Sequence, residues 1–424
     1  MDVVDAALAR LVRQDAPRVL ALLAGRYGQL HLADDAVADA LASAADRWPT
    51  DGVPDNPAAW LNHVANRKAI DLLRRGDADR RRTLAAAPEF HADRNDTATM
   101  HDSHVIDDPA ADPNLPDDQL RLMFLCCHPA LAPDAQVALT LRLIGGLSTD
   151  EIAAAYLIPT PTLAQRISRA KAKIRDAAIP LSTPSQLEQR LAVVLSVLYL
   201  VFNEGYLSRG ENHLPVRVDL CEESMRLTRA LAELLPEHPE VQGLLALELF
   251  HHARRDARLD DKADLVLLPD QDRALWHRDT IDEGNAVLTR AMAHRAPNRF
   301  QLEAAIAAYH ANATDAAETD WPRIAALYDR LLTFDPSPVV ALNRAVAIGM
   351  ADGPDAGLAA LPRSDELTDY HLFHAAKAEL RLMAGDVAAA ETSFIDAHRL
   401  ARNAAEMRHL ERRLAVTAQK QPPH

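Results

Sequence analysis

The chain has 424 residues, enough for two or three domains. Apolar residues make up 48 % of it but aromatics only 4 %, and Gly is scarce at 14, a profile that suits packed helices and argues against sheets. The net charge of −15 excludes a broadly basic nucleic-acid-binding surface, so any contact with DNA has to come from local basic stripes. Three cysteines, Cys126, Cys127 and Cys221, are too few and odd in number for a disulfide framework. The opening MDVVDAALAR lacks the basic and apolar regions of a signal peptide. The longest apolar run, Leu191 to Phe202, is too short to span a bilayer. A cytoplasmic protein without membrane contact is expected.

Residues 1–75 read as helices with short breaks. Within them Asn56 is placed to cap a helix whose first residue is Pro57. In the following AAWLNHVANRKAIDLLRRG, Leu61, Val64, Ala65 and Leu72 can face a core. Trp60, His63, Arg67, Asp71 and Arg74 fall along another face, flanked by Lys68 and Arg75. An exposed Trp leading a row of cations suits a partly melted duplex: unpaired bases stack on the ring while phosphates follow the charges. A half-buried Trp60 with solvated arginines is the alternative on these residues alone.

Residues 76–115 carry many Asp, Pro109, Pro113 and few large apolar side chains, the composition of a solvated acidic linker. Residues 116–178 turn helical again and contain LSTDEIAAAYLIPTPTLAQRISRAKAKIR, from Leu147. Ser148 and Glu151 form a capping box for a short helix. Thr160 is expected to cap a second helix with Pro161 at its first position. On that helix Leu163, Ile167, Ala170 and Ile174 make one buried stripe. Thr162, Gln165, Arg166, Arg169 and Lys173 line the other side, with nothing acidic before Asp176. A helix that reads the major groove needs this division: one side locked on its neighbour, the other offering Gln and Arg to base edges and cations to phosphates.

From Thr183, an expected N-cap with Pro184 and Gln186 behind it, a helical period continues almost to the end. Leu187, Leu191, Val194, Leu195, Leu198 and Phe202 share one face. Residues 184–424 are expected to form helical hairpins of tetratricopeptide (TPR) type. Ala378, Ala390, Phe394 and Ala397 occupy the small and aromatic positions, with a turn at Gly385-Asp386. One period earlier, roughly 33 to 34 residues, Ala345, Leu361 and the turn Asp352-Gly353-Pro354 correspond.

No catalytic constellation is present: there is no HExxH, GxSxG or phosphate-binding glycine loop. Cys126-Cys127-His128 has no second Cys/His pair at zinc-site spacing and reads as buried thiols, so no metal and no cofactor are expected. Asn203, Glu204, Tyr206 and Arg209 form a polar group that reads as a fold-stabilising network rather than a ligand site.

On these motifs the chain resembles the extracytoplasmic-function (ECF) sigma factors of the sigma-70 family, in the subgroup with a C-terminal TPR-like extension. PDDQLRLMFLCCHPALAPDAQVALTLRLIGGLST, from Pro116, and VLYLVFNEGYLSRG, from Val197, resemble that subgroup's own blocks. The resemblance implies an all-α, non-enzymatic initiation factor: residues 1–75 as region 2, 76–115 as linker, 116–178 as region 4 and 184–424 as extension. Its partners would be core RNA polymerase, promoter DNA and a regulatory protein acting on the extension. ADDAVADALASAADRWP, from Ala33, is similar to the helix that docks on the polymerase clamp, with Asp34, Asp35 and Asp39 at its carboxylate positions. Trp60, His63, Arg67, Lys68, Arg74 and Arg75 fall on the helix that reads the −10 element, and the loop from Thr50 to Asn56 would capture a flipped base. Thr162 to Lys173 matches the −35 helix. Leu157 replaces the Gly usual in this turn; a left-handed Leu costs roughly 1 kcal/mol or more, so a wider turn is expected. A polymerase-independent DNA-binding regulator and a TPR scaffold with degenerate DNA-binding modules remain the rival readings.

Overall fold

The computed structural model describes residues 3–86, 118–156, 158–177, 179, 187–206, 217–261, 264–363, 366–401 and 404–419. The architecture is all-α; among these residues no strand forms, only one isolated bridge between Leu259 and Leu265. The expected cap at Thr183 and the turn at Leu157 lie outside the described residues, as does Arg209. The chain divides into two compact units, residues 1–197 and 198–424.

The first unit opens with α1 (Val3–Arg10), a π-helical turn (Leu11–Asp15) and α2 (Ala16–Tyr27). Gly28, at φ +65°, ends α2 in a conformation that disfavours a side chain. α3 (Leu30–Asp51) and α4 (Pro57–Ala86) pack on α2 and on each other. Leu23, Ala40, Ala44, Trp48, Leu61 and Ala65 are buried there. Asn56 caps α4 as expected, its side chain accepting the Ala59 N–H at 3.0 Å. The helix runs on to Ala86, past the boundary at residue 75 that composition suggested. Helix propensity carries through the Arg and Ala residues there, although they have no apolar stripe.

α5 (Asp118–Cys126) packs against α2, followed by α6 (Pro133–Leu143), α7 (Thr149–Tyr156) and α8 (Thr160–Asp176). Cys126 and Cys127 are fully buried thiols, with Cys127 pushed up to about 12 by burial. Gly146, at φ +63°, lies so close to the π-helical turn that a Cβ would stand 2.5 Å from the Arg13 carbonyl oxygen. The backbone of one module therefore rests directly on that of the other.

In the second unit, the end of α9 (Leu187–Tyr206) leads to α10 (Val218–Leu234) and α11 (Pro239–His252). α11 is apolar on every side, so it has to lie inside, and Val241 to Phe250 are buried without a break. α12 (Arg278–Ala293) and α13 (Arg299–Asn312) cover it. α14 (Trp321–Leu331), α15 (Pro338–Asp352), α16 (Pro354–Ala360), α17 (His371–Met383), α18 (Val387–Leu400) and α19 (Ala404–Gln419) then pack in chain order. The turns expected at Gly353 and Gly385 adopt φ +102° and +83°. Ala345, Ala378, Ala390, Phe394 and Ala397 are all buried.

Inside α11, Glu248 is wholly buried and meets Ser224 Oγ at 2.7 Å. Ser224 also faces the Leu198 carbonyl at 2.9 Å. A hydroxyl has one proton, and a carbonyl can only accept. Ser224 therefore donates to Leu198 and accepts from a protonated Glu248, whose pKa burial pushes up to about 8.

Candidate nucleic-acid interface

The helix-turn-helix is built from local signals. Ser148 Oγ accepts the Glu151 N–H at 3.1 Å while Glu151 accepts the Ser148 N–H at 2.6 Å, the reciprocal capping box read from the sequence. The second helix starts one residue earlier than expected. Pro159 is its N-cap, its carbonyl accepting the N–H groups of Thr162 and Leu163. Thr160 makes no side-chain cap, and Pro161 sits in the first turn, where its missing N–H costs nothing.

Leu163, Ile167, Ala170 and Ile174 are buried against α6 and α7, as their spacing implies. Thr162, Gln165, Arg169 and Lys173 are exposed. Arg166 differs from them. It is half-buried and pairs with Asp134 of α6 at 3.4 Å, so it partly serves to hold α8 in place.

On α4, His63, Arg67, Arg74 and Arg75 are exposed, whereas Lys68 is half-buried, 3.9 Å from Asp39 of α3. Of the two readings the sequence left open for Trp60, an exposed platform and a half-buried ring, the structure shows the second. The ring lies edge-on to Trp48 with centroids 5.5 Å apart. The long α3 brings Trp48 under the start of α4, and two indoles at that separation prefer an edge-to-face pair. Gly52 ends α3 at φ +84°, its N–H donating to the Trp48 carbonyl, and a short loop leads from there to Asn56.

Asp35 and Asp39 are exposed on α3. Asp34 is half-buried, and Lys171 of α8 donates to it at 2.6 Å. Sequence reasoning passed over Lys171, which flanks the buried stripe of α8, because its partner lies 137 positions away. Arg13 adds a second link, 3.4 Å from Glu151. Among the described residues no group of His, Cys, Asp or Glu could hold a metal ion. None of their helices is long and apolar enough to cross a membrane.

Two helical modules, each presenting a basic row on an acidic chain, define a DNA-binding protein of two-module type. Residues 11–79 match the family described as sigma-70 region 2, and residues 121–174 match sigma-70 region 4. The chain belongs to the sigma-70 family of transcription initiation factors, which are not enzymes. Residues 190–292 match a family described only as being of unknown function, DUF6596. An uncharacterized protein of Rhizobium meliloti (strain 1021) is 41 % identical over 401 residues, covering 94 % of this chain and 93 % of that one.

Proposed function

We propose that the chain binds core RNA polymerase and directs it to promoters, as a factor of ECF type with a regulatory C-terminal extension. The observation that carries this reading is α8, with Gln165, Arg169 and Lys173 exposed in an acid-free row on a helix whose other side is locked in place. In this reading Thr162, Gln165, Arg166, Arg169 and Lys173 serve the −35 element. Trp60, His63, Arg67, Lys68, Arg74 and Arg75 serve the −10 element, and Asp34, Asp35 and Asp39 engage the polymerase. Residues 1–75 and 116–178 are the two sigma modules, with the acidic linker between them, and 184–424 is the extension that sets when they act. Run-off transcription on genomic promoters tests it. Core polymerase with the chain starts at defined sites, and core polymerase alone does not. DNA binding without any gain in initiation would identify a polymerase-independent regulator instead.

The contact between Lys171 and Asp34 bears on this function. A carboxylate held by α8 is not free for a polymerase subunit, so region 4 and polymerase compete for it. Lys171→Ala is expected to raise affinity for core polymerase roughly three- to tenfold, the weight of about 1 kcal/mol for a partly exposed pair. Unchanged affinity in a titration of labelled chain with core polymerase would remove Asp34 from the docking surface.

A further inference from the structure

The second unit contains three cavities that share walls, of about 580, 390 and 320 Å³. Arg254 lines the two larger ones, and His310 lines the two smaller. Arg254 is 7 % exposed and Arg258, four residues on, is 6 % exposed. Among the described residues, the guanidinium of Arg254 hydrogen-bonds to neutral groups: the Tyr206 hydroxyl at 2.6 Å, His251 Nδ1 at 3.0 Å and Gln271 Oε1 at 3.3 Å. Arg258 donates to the Tyr206 carbonyl and lies over the Tyr206 ring. Arg273, on the wall of the smallest cavity, donates to the carbonyls of His310 and Ala313 at 2.8 and 2.7 Å.

None of these three arginines forms an ion pair among the described residues, and the neighbourhood makes that unusual. Carboxylates on the same walls are already engaged: Glu303 with Arg299, Glu379 with Arg413, and Glu406 facing His371 at 3.4 Å. The chain as a whole carries more acids than bases, yet among the described residues none forms an ion pair with Arg254 or Arg258. Burying an unpaired charge is costly, and a buried cation is normally matched by an anion. Burial, reinforced by these arginines, pushes His310 down to about 4 and His251 well below its usual range. Both imidazoles are then neutral near pH 7. Because Arg254 can only donate, His251 Nδ1 accepts and Nε2 carries the proton.

The geometry points to a ligand site: the cavity binds a small organic anion, whose carboxylate or phosphate is held by Arg254 and Arg258 and whose apolar body lies on Leu268, Leu342 and Phe394. The ligand supplies the negative charge that the described residues do not place against these arginines. The apolar wall of the 580 Å³ cavity has room for a body of drug-like size. Tyr206, Arg254 and Arg258 all fall within the segment of unknown function, residues 190–292. The site is independent of the sigma-factor reading, because binding is measured on the isolated chain.

The test is calorimetric titration of the purified full chain with octanoate, octyl phosphate and their neutral counterpart 1-octanol, with melting temperature as a second readout. At least one anion is expected to bind saturably, about tenfold or more tighter than octanol, and to raise the melting temperature. A charged hydrogen bond of this kind supports at least that ratio. The better of the two anions identifies the headgroup. Arg254→Gln is expected to lose the preference for the anion without a lower melting temperature in the absence of ligand, since it removes an unpaired buried charge. The exposed Arg290→Gln serves as control and keeps the preference. If Arg254→Gln does not fold, Arg258→Gln is read in the same way. Equal binding of octanol and both anions overturns the proposal. So does an anion preference that survives in the folded variant.

Discussion

Changing Gln165 and Arg169 together to alanine is expected to lower promoter-dependent run-off transcription by at least about thirty-fold. Each side chain that reads a base edge is worth roughly 1–3 kcal/mol of discrimination. Removing both at the lower bound costs about 2 kcal/mol, close to that factor. Both side chains are exposed on α8. The stripe of Leu163, Ile167, Ala170 and Ile174 that fixes the helix is untouched, and alanine is the stronger helix former. Helicity and melting temperature should therefore hold while start-site selection fails. Full activity of the double variant would take α8 away from the −35 element. Arg166→Ala is a poorer probe, because it also breaks the pair with Asp134.

The second large effect concerns Glu248→Gln, read as melting temperature against pH. In the folded chain Glu248 keeps its proton up to about pH 8, whereas an ordinary Glu loses it near 4.5. Between these values the unfolded state binds fewer protons, so raising the pH favours unfolding. The stabilisation from the protonated side chain is complete below about pH 4.5 and is lost as the pH rises through about 8. The gap corresponds to on the order of 5 kcal/mol at most. Glutamine has the shape of the protonated acid and cannot ionise. It leaves one amide N–H without a partner, where Glu248 Oε2 already has none. The variant is expected to be equal or slightly less stable at pH 5 and clearly more stable at pH 8. Parallel curves for the two proteins would show that Glu248 does not titrate in this range.

What was legible in the sequence was local. The capping box at Ser148 and Glu151, the cap at Asn56 and the buried stripe of α8 each depend on residues within a few positions, and each formed as spacing implied. The turns at Gly353 and Gly385 were visible for the same reason. The misplacements are also local. A Pro159 carbonyl takes the capping role expected of Thr160, and α4 outruns its apolar pattern as far as Ala86. What was not legible depends on pairs far apart in the chain. Composition cannot show that Trp48 half-covers Trp60 or that Lys171 reaches Asp34. Nor can it show that Arg254 and Arg258 lie buried with Tyr206 rather than solvated on a helix end. The sequence places Tyr206 only in a structural network. The missed signal was the cluster of Arg254, Arg255 and Arg258 following the long apolar α11.

The edge-on indoles of Trp48 and Trp60 have a further consequence. They are two of the chain's four tryptophans, and the other two, Trp276 and Trp321, belong to the second unit. Indole emission depends on what the ring touches, so the pair gives region 2 its own optical gauge with nothing attached. Whatever draws the Trp60 ring away from Trp48 also changes the light the protein emits.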